Sequence, residues 1–257
     1  MTWNFICNVI DVLFEVIKQI QFPLAGTTEL PIVNGNHMNV LVIAPHPDDE
    51  IIGCGGTIAR LIQQNCSVFV LILTKGMLPL FTEEIAIRAH MQALNSHEFL
   101  GIKETIFFDF PATALSRVDH SDVNIKISQV LKKIKPELLF IPFNADIHID
   151  HQCAFTSSLV AARPDRNEYP RKILAYETLS STNWNAPYLT PGFHPNIFFD
   201  ITHYLQIKLN AFKIYQDQIK DFPHERSLEA LTALATLRGC TIHRPAAESF
   251  VLIREVI

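Results

Sequence analysis

The segment Asn39-Val-Leu-Val-Ile-Ala44 is apolar from its second residue onward and stops at Pro45. Runs of the same kind recur at Ser67–Leu73, Thr105–Phe108 and Leu138–Pro142. Each is short, rich in β-branched or aromatic side chains, and lacks polar alternation, which predicts strands buried on both faces. Between them, Gly53–Gln64, Glu83–Leu100 and Asp122–Ile134 read as helices, with another from near His151 and Gly101 as a C′ residue. Strands that alternate with helices require crossover connections. The expected fold is therefore α/β, a Rossmann-like three-layer sandwich with a mainly parallel sheet. After Pro164 the order changes, with strands at Ile173–Glu177 and Ile197–Ile201 and helices at Tyr204–Lys220 and Ser227–Arg238. These form an elaborated C-terminal third of one domain, residues 39–257.

Composition removes several function classes. Hydrophobic residues are 48% and charged residues 18%, which is enough apolar material for a large core. Lys plus Arg is 21 against 26 Asp plus Glu, a net charge of −5, so no basic surplus exists to track nucleic-acid phosphates. A small neutral or carbohydrate-like partner fits better. The five cysteines are widely spaced, odd in number and form no CxxC, which argues against a disulfide framework and for a reducing cytoplasm. In residues 1–22 no basic segment precedes the apolar run, which argues against a signal peptide. Asn4, Asn8, Asp11, Glu15 and Lys18 make one polar helical stripe, so this stretch reads as an amphipathic helix rather than a transmembrane span. Residues 1–38 are thus expected to be a helix and connector, packed on the domain or making an oligomer or membrane-surface contact.

Two predicted loops follow neighbouring parallel strands, and ligands of open α/β sheets bind at such carboxyl ends. The first carries Pro45-His46-Pro47-Asp48-Asp49-Glu50 and the second Asn144-Ala-Asp146-Ile-His148-Ile-Asp150-His151. A catalytic zinc-type site takes three N or O ligands and leaves a position open. His46 and Asp49 in one loop, completed by His151 from the other, offer such a set. Asp48 then stands beside the metal as a candidate general base. The three acidic residues alone would also suit a helix N-terminus, but that explains neither His46 nor the second cluster. Gly53-Cys-Gly55-Gly56-Thr57 lacks both GxGxxG spacing and a Walker lysine, so these small residues read as letting a helix approach the sheet.

With these motifs, the sequence resembles the PIG-L/LmbE-like family of metal-dependent N-acetylglucosaminyl deacetylases. Arg88 with Gln92, Asp109-Phe-Pro111, Tyr176-Glu177, Phe193-x-Pro195-Asn196, Lys208, Gln218, Arg238-Gly239 and Ala247-Glu248-x-Phe250 fall in family-like order. The resemblance covers roughly residues 39–254. It implies that His46, Asp49 and His151 hold one divalent transition metal, zinc first and ferrous iron as the alternative. It makes Asp48 the general base for a metal-activated water, and His148 the stabiliser of the oxyanion as an imidazolium that also protonates the leaving amine. Asp150 becomes an orienting partner of His148 or another imidazole, and Arg88 a grip on substrate hydroxyls or a phosphate. Ile149 stands where members commonly have Pro. Asp146 replaces a Tyr found in some members, and is expected to orient His148 or contact sugar hydroxyls. The implied reaction removes acetyl from an N-acetylated amino sugar or its glycoconjugate. Cleavage of a bulkier sugar-linked amide is the enzymatic alternative, and a non-catalytic sugar- or nucleotide-binding Rossmann-like domain the non-enzymatic one. His90 and His97 are expected at the surface. Trp184 and Tyr188 are read as either loop anchors or sugar-stacking side chains.

Overall fold

The computed structural model describes residues 37–164 and 169–257. The expected helix and connector in residues 1–38 lie, apart from His37 and Met38, outside those residues. One seven-stranded sheet has the order β3-β2-β1-β4-β5-β7-β6. Its strands are β1 (Asn39–Ala44), β2 (Ser67–Lys75), β3 (Glu104–Pro111), β4 (Leu138–Pro142), β5 (Lys172–Tyr176), β6 (Ile197–Asp200) and β7 (Ala247–Glu255). The first five are parallel. The crossovers are carried by helices α1 (Asp49–Gln63), α2 (Glu83–Leu100), α3 (His120–Ile134) and α4 (Ile149–Ala161), while α5 (Leu205–Lys213) and α6 (Leu228–Thr241) belong to the C-terminal third. Val40–Ala44 are fully buried, as an unbroken apolar run predicts for a central parallel strand.

The chain runs from β1 outward to β2 and β3, then returns to place β4 on the other side of β1. That reversal is the topological switch point, where loops leaving β1 and β4 diverge and leave a crevice. Both histidine-carboxylate loops open there. Thr74 donates its N–H and its hydroxyl to the Pro45 carbonyl, at 3.1 and 2.8 Å, and fixes where the first loop leaves the sheet.

Three expectations on local structure change. Helix α1 starts at Asp49 rather than Gly53, because Asp48 occupies the N-cap with φ 111°. The helix expected over Tyr204–Lys220 ends at Lys213. Strand β7 had no counterpart in the sequence reading, yet it inserts antiparallel between β5 and β6. Its first residues include Glu248 and Ser249, polar but buried, whose partners are distant in sequence. Glu248 accepts the N–H groups of Gly56 and Thr57 in α1, at 3.0 and 2.6 Å. Lys208 of α5 donates to the Ile52 carbonyl of α1 at 2.7 Å and pairs with Glu248 at 2.6 Å. A buried ion pair is thus threaded into the middle of α1 and ties it to α5 and β7. Gly101 ends α2 at φ 82°, as expected of a C′ glycine. Gly53 is required for a different reason: a Cβ there would lie 2.3 Å from the Tyr176 ring, whose hydroxyl donates to the Ile43 carbonyl of β1. Among the described residues, no helix is long and apolar enough to cross a membrane.

Candidate active site

The loops after β1 and β4 bring together the imidazoles of His46, His148 and His151, with ring centroids 4.6–5.4 Å apart. His46 Nδ1 and His151 Nε2 both converge on Asp49 Oδ2, at 3.1 and 3.2 Å. The far nitrogen of each ring is held by a second carboxylate. His46 Nε2 meets Asp150 Oδ2, and His151 Nδ1 meets Asp146 Oδ2, each at 3.1 Å. An imidazole that donates its outer N–H to a carboxylate turns the lone pair of its inner nitrogen into the cluster, the arrangement that orients metal-ligating histidines.

Two inward lone pairs and a buried carboxylate repel unless something positive lies among them. Protons can serve. Burial alone would lower the His151 pKa, but the charges of Asp49 and Asp146 outweigh it and push it up to about 10. Burial opposes ionisation of Asp49 as well, yet the facing His151 and His46 hold that carboxyl well below its usual range. A divalent cation serves equally well, and Asp49 Oδ1 is buried without a hydrogen-bond partner. His46, Asp49 and His151 lie close enough to share one ion, as do His46, His148 and Asp150. The donor chemistry favours the first set. In the second, Asp150 already accepts N–H groups of Thr113 and Leu115, at 2.6 and 3.0 Å. His148 Nδ1 likewise accepts the Asp150 N–H at 3.2 Å as the N-cap of α4.

That cap also alters the expected state of His148. An Nδ1 that accepts a backbone N–H carries no proton, so the ring is neutral with its hydrogen on Nε2. Burial, with His46 and His151 nearby, lowers its pKa in the same direction. The expectation of an imidazolium is corrected to a neutral N–H donor. Of the two expectations for Asp150, the geometry selects the second, with the carboxylate orienting His46 rather than His148, while the role of Asp146 is corrected. Asp146 is buried, and its oxygens accept the His148 N–H, the His151 ring and the hydroxyls of Ser181 and Thr182. A carboxylate so engaged orients His151, and at 1% exposure it is not presented to a sugar hydroxyl.

Asp48 is buried at the N-cap of α1 but makes no side-chain capping bond. A positive φ costs a non-glycine residue roughly 1–3 kcal/mol, a strain found where local geometry serves function. Its N–H donates to Glu50 Oε2 at 3.2 Å. Glu50 is in turn held by the Tyr215 hydroxyl and His97 Nε2. His97, expected at the surface, is 2% exposed and also bonds Thr105. Burial pushes the Asp48 carboxyl up to about 7, against the opposing charge of Arg226.

Arg226 is the residue the sequence reading missed. Its Nη1 lies 2.9 Å from Asp48 Oδ2 and 2.7 Å from Gln218 Oε1, and its Nε donates to Ser180 Oγ at 2.9 Å. It sits in Glu225-Arg226-Ser227, ahead of α6, where nothing distinguishes it from a solvated charge. Arg88 is not brought to the histidine cluster. It is half-exposed on α2 and engaged by Asp217 at 2.7 Å, next to the Gln218 that contacts Arg226.

The model of the PIG-L family, described as GlcNAc-PI de-N-acetylase, matches residues 41–162, which include both loops. The chain is 30% identical to a diacetylchitobiose deacetylase of Thermococcus kodakarensis, over 71% of this chain and 70% of that one. It is 31% identical to the uncharacterized deacetylase YaiS of Escherichia coli, over 68% of this chain and 88% of that one. Among solved structures, the N,N'-diacetylchitobiose deacetylase of Pyrococcus horikoshii superposes with a TM-score of 0.70. That superposition covers 98% of this chain and 93% of the other at 23% identity, a likeness that bears on the fold.

Proposed function

The chain belongs to the PIG-L/LmbE-like family of deacetylases, and from that premise we propose that it hydrolyses the acetamide of an N-acetylated amino sugar or its glycoconjugate. The observation that carries the reading is the convergence of His46 Nδ1 and His151 Nε2 on Asp49, with Asp48 buried beside them. One divalent metal held by His46, Asp49 and His151, zinc by the preference of an N₂O donor set, would supply the Lewis acidity that polarises the acetyl carbonyl and acidifies water.

The remaining work falls to side chains. Asp48, pushed up to about 7, accepts the proton that water loses as its oxygen attacks the carbonyl carbon. Arg226 holds that carboxylate in place through its Nη1 contact with Asp48 Oδ2. The Nε2–H of His148 donates to the carbonyl oxygen as it gains negative charge, a contribution worth ~10²–10³ in rate. When the C–N bond breaks, the proton on Asp48 passes to the departing nitrogen, giving acetate and a free amine. Neutral His148 is poorly suited to that second transfer, so Asp48 performs both. The free Cys54, Cys66, Cys153 and Cys240 accord with action in a reducing compartment, the cytoplasm in our reading.

The test is acetate release from a panel of N-acetylated amino sugars, glycosides and disaccharides by the metal-loaded protein. Chelator-sensitive release matched by free amine supports the reading. No release from any member, by protein carrying one metal per chain, would overturn it.

A further inference from the structure

The three consecutive acids at the start of α1 have three different sets of partners. Asp49 meets His46 and His151, and Asp48 meets Arg226. Glu50 turns into the interior, where it is fully buried. Its Oε1 accepts His97 Nε2 at 3.0 Å and the Tyr215 hydroxyl, while its Oε2 accepts the N–H of Asp48 at 3.2 Å. A carboxylate taken out of water is costly unless donors surround it. A helix N-terminus needs no buried acid, since an exposed one answers its dipole as well.

What Glu50 holds is the peptide between Pro47 and Asp48. The φ of Asp48, 111°, sets the angle between that peptide, which leads back to His46, and the Asp48 side chain. A left-handed φ is disfavoured for a residue with a Cβ, so this conformation needs a restraint from outside. In a capping box the N-cap side chain and the third helical residue cap each other's N–H groups. Here Glu50 acts from the second position and Asp48 makes no capping bond in return, because its carboxylate is engaged by Arg226. The donors to Glu50 are themselves anchored. His97 of α2 is tied through Nδ1 to Thr105 Oγ1 of β3 at 2.8 Å. Tyr215 lies just past α5, and its carbonyl accepts the N–H of Gln218 at 2.9 Å. Gln218 in turn contacts Arg226. Residues 215–218 therefore reach Asp48 twice, through Glu50 to its backbone and through Arg226 to its carboxylate.

We propose that Glu50, held by His97 and Tyr215, is a positioning residue that keeps Asp48 in the left-handed conformation from which its carboxylate serves the site. The role rests on the reading of Asp48 as the general base. It acts through the backbone of Asp48, and Glu50 itself touches no reacting atom.

Glu50→Leu removes the acceptor while filling its space. With metal content matched to wild type, it should lower kcat for acetate release about 10²-fold and leave KM little changed, the scale of loss that misplacing a reacting group brings. In an Asp48→Asn background the same substitution should change kcat by no more than about twofold, because a base that is absent cannot be misplaced. An equal loss in both backgrounds, or an unchanged kcat in the wild-type background, would overturn the proposal. The crystal structure of Glu50→Leu reads the positioning without turnover: the φ of Asp48 should leave the left-handed region. If wild-type protein releases no acetate, or Asp48→Asn releases it at the wild-type rate, a rotated φ upholds the positioning of Asp48 and rejects only its reading as the base. A φ that stays left-handed would overturn the positioning whatever the activity. Where Glu50→Leu does not fold, Tyr215→Phe takes its place in both measurements, with a smaller loss and a smaller rotation expected, and the absence of either would overturn the proposal.

Discussion

Arg226 Nη1 lies 2.9 Å from Asp48 Oδ2 across 178 positions of sequence, and joins the C-terminal third of the chain to the first active-site loop. Burial raises the Asp48 pKa, and the largest opposing influence is Arg226. Removing the guanidinium therefore raises that pKa further. The acting form of the base is the carboxylate, so Arg226→Ala should move the acidic limb of the kcat/KM profile to higher pH. Each unit of rise should lower activity about fivefold at pH 7 and about tenfold further down the acidic limb. Arg226→Lys should recover part of the shift. An acidic limb unmoved in Arg226→Ala would detach the residue from the base.

Metal affinity should depend steeply on pH. His151 is pushed up to about 10 in the metal-free cluster, so it carries a proton at neutral pH that a metal must displace. Each displaced proton weakens binding about tenfold per unit of falling pH. Calorimetric titration with zinc in buffers of different ionisation enthalpy should show proton release at neutral pH and weaker binding in mild acid. PH-independent affinity without proton release would count against His151 as a ligand.

The pair threaded into α1 should be costly to break. Lys208→Met removes one partner and leaves Glu248 buried beside backbone N–H groups alone. The expected destabilisation is about 3–5 kcal/mol, read from urea unfolding of the metal-free protein. A change below about 1 kcal/mol would mean that water or a rearranged side chain replaces the ammonium.

Much of this was legible in the chain because its signals are local. Continuous apolar runs marked β1, β2 and β4, and the two loops at their ends carry their ligands within a few residues. The residues expected to hold metal do meet in one cluster, since β1 and β4 are neighbours in the sheet. What escaped is long-range. Arg226 is recognisable only once the chain has folded it back over Asp48. The buried place of His97 depends on Glu50, 47 residues earlier. Strand β7 was unread because Glu248 looks like a surface residue until α1 supplies its partners. The roles of Asp146 and Asp150 were likewise open in sequence, where spacing cannot show which nitrogen of which ring a carboxylate meets.

The most direct test of the account is the rate of acetate release by Asp48→Asn, measured with metal content matched to wild type. Asparagine keeps the size of the side chain but cannot take up a proton. The account predicts full metal occupancy and a loss of ~10²–10⁴ in kcat on any N-acetylated sugar the wild type accepts. An Asp48→Asn protein that binds metal and releases acetate within a few-fold of the wild-type rate would contradict it.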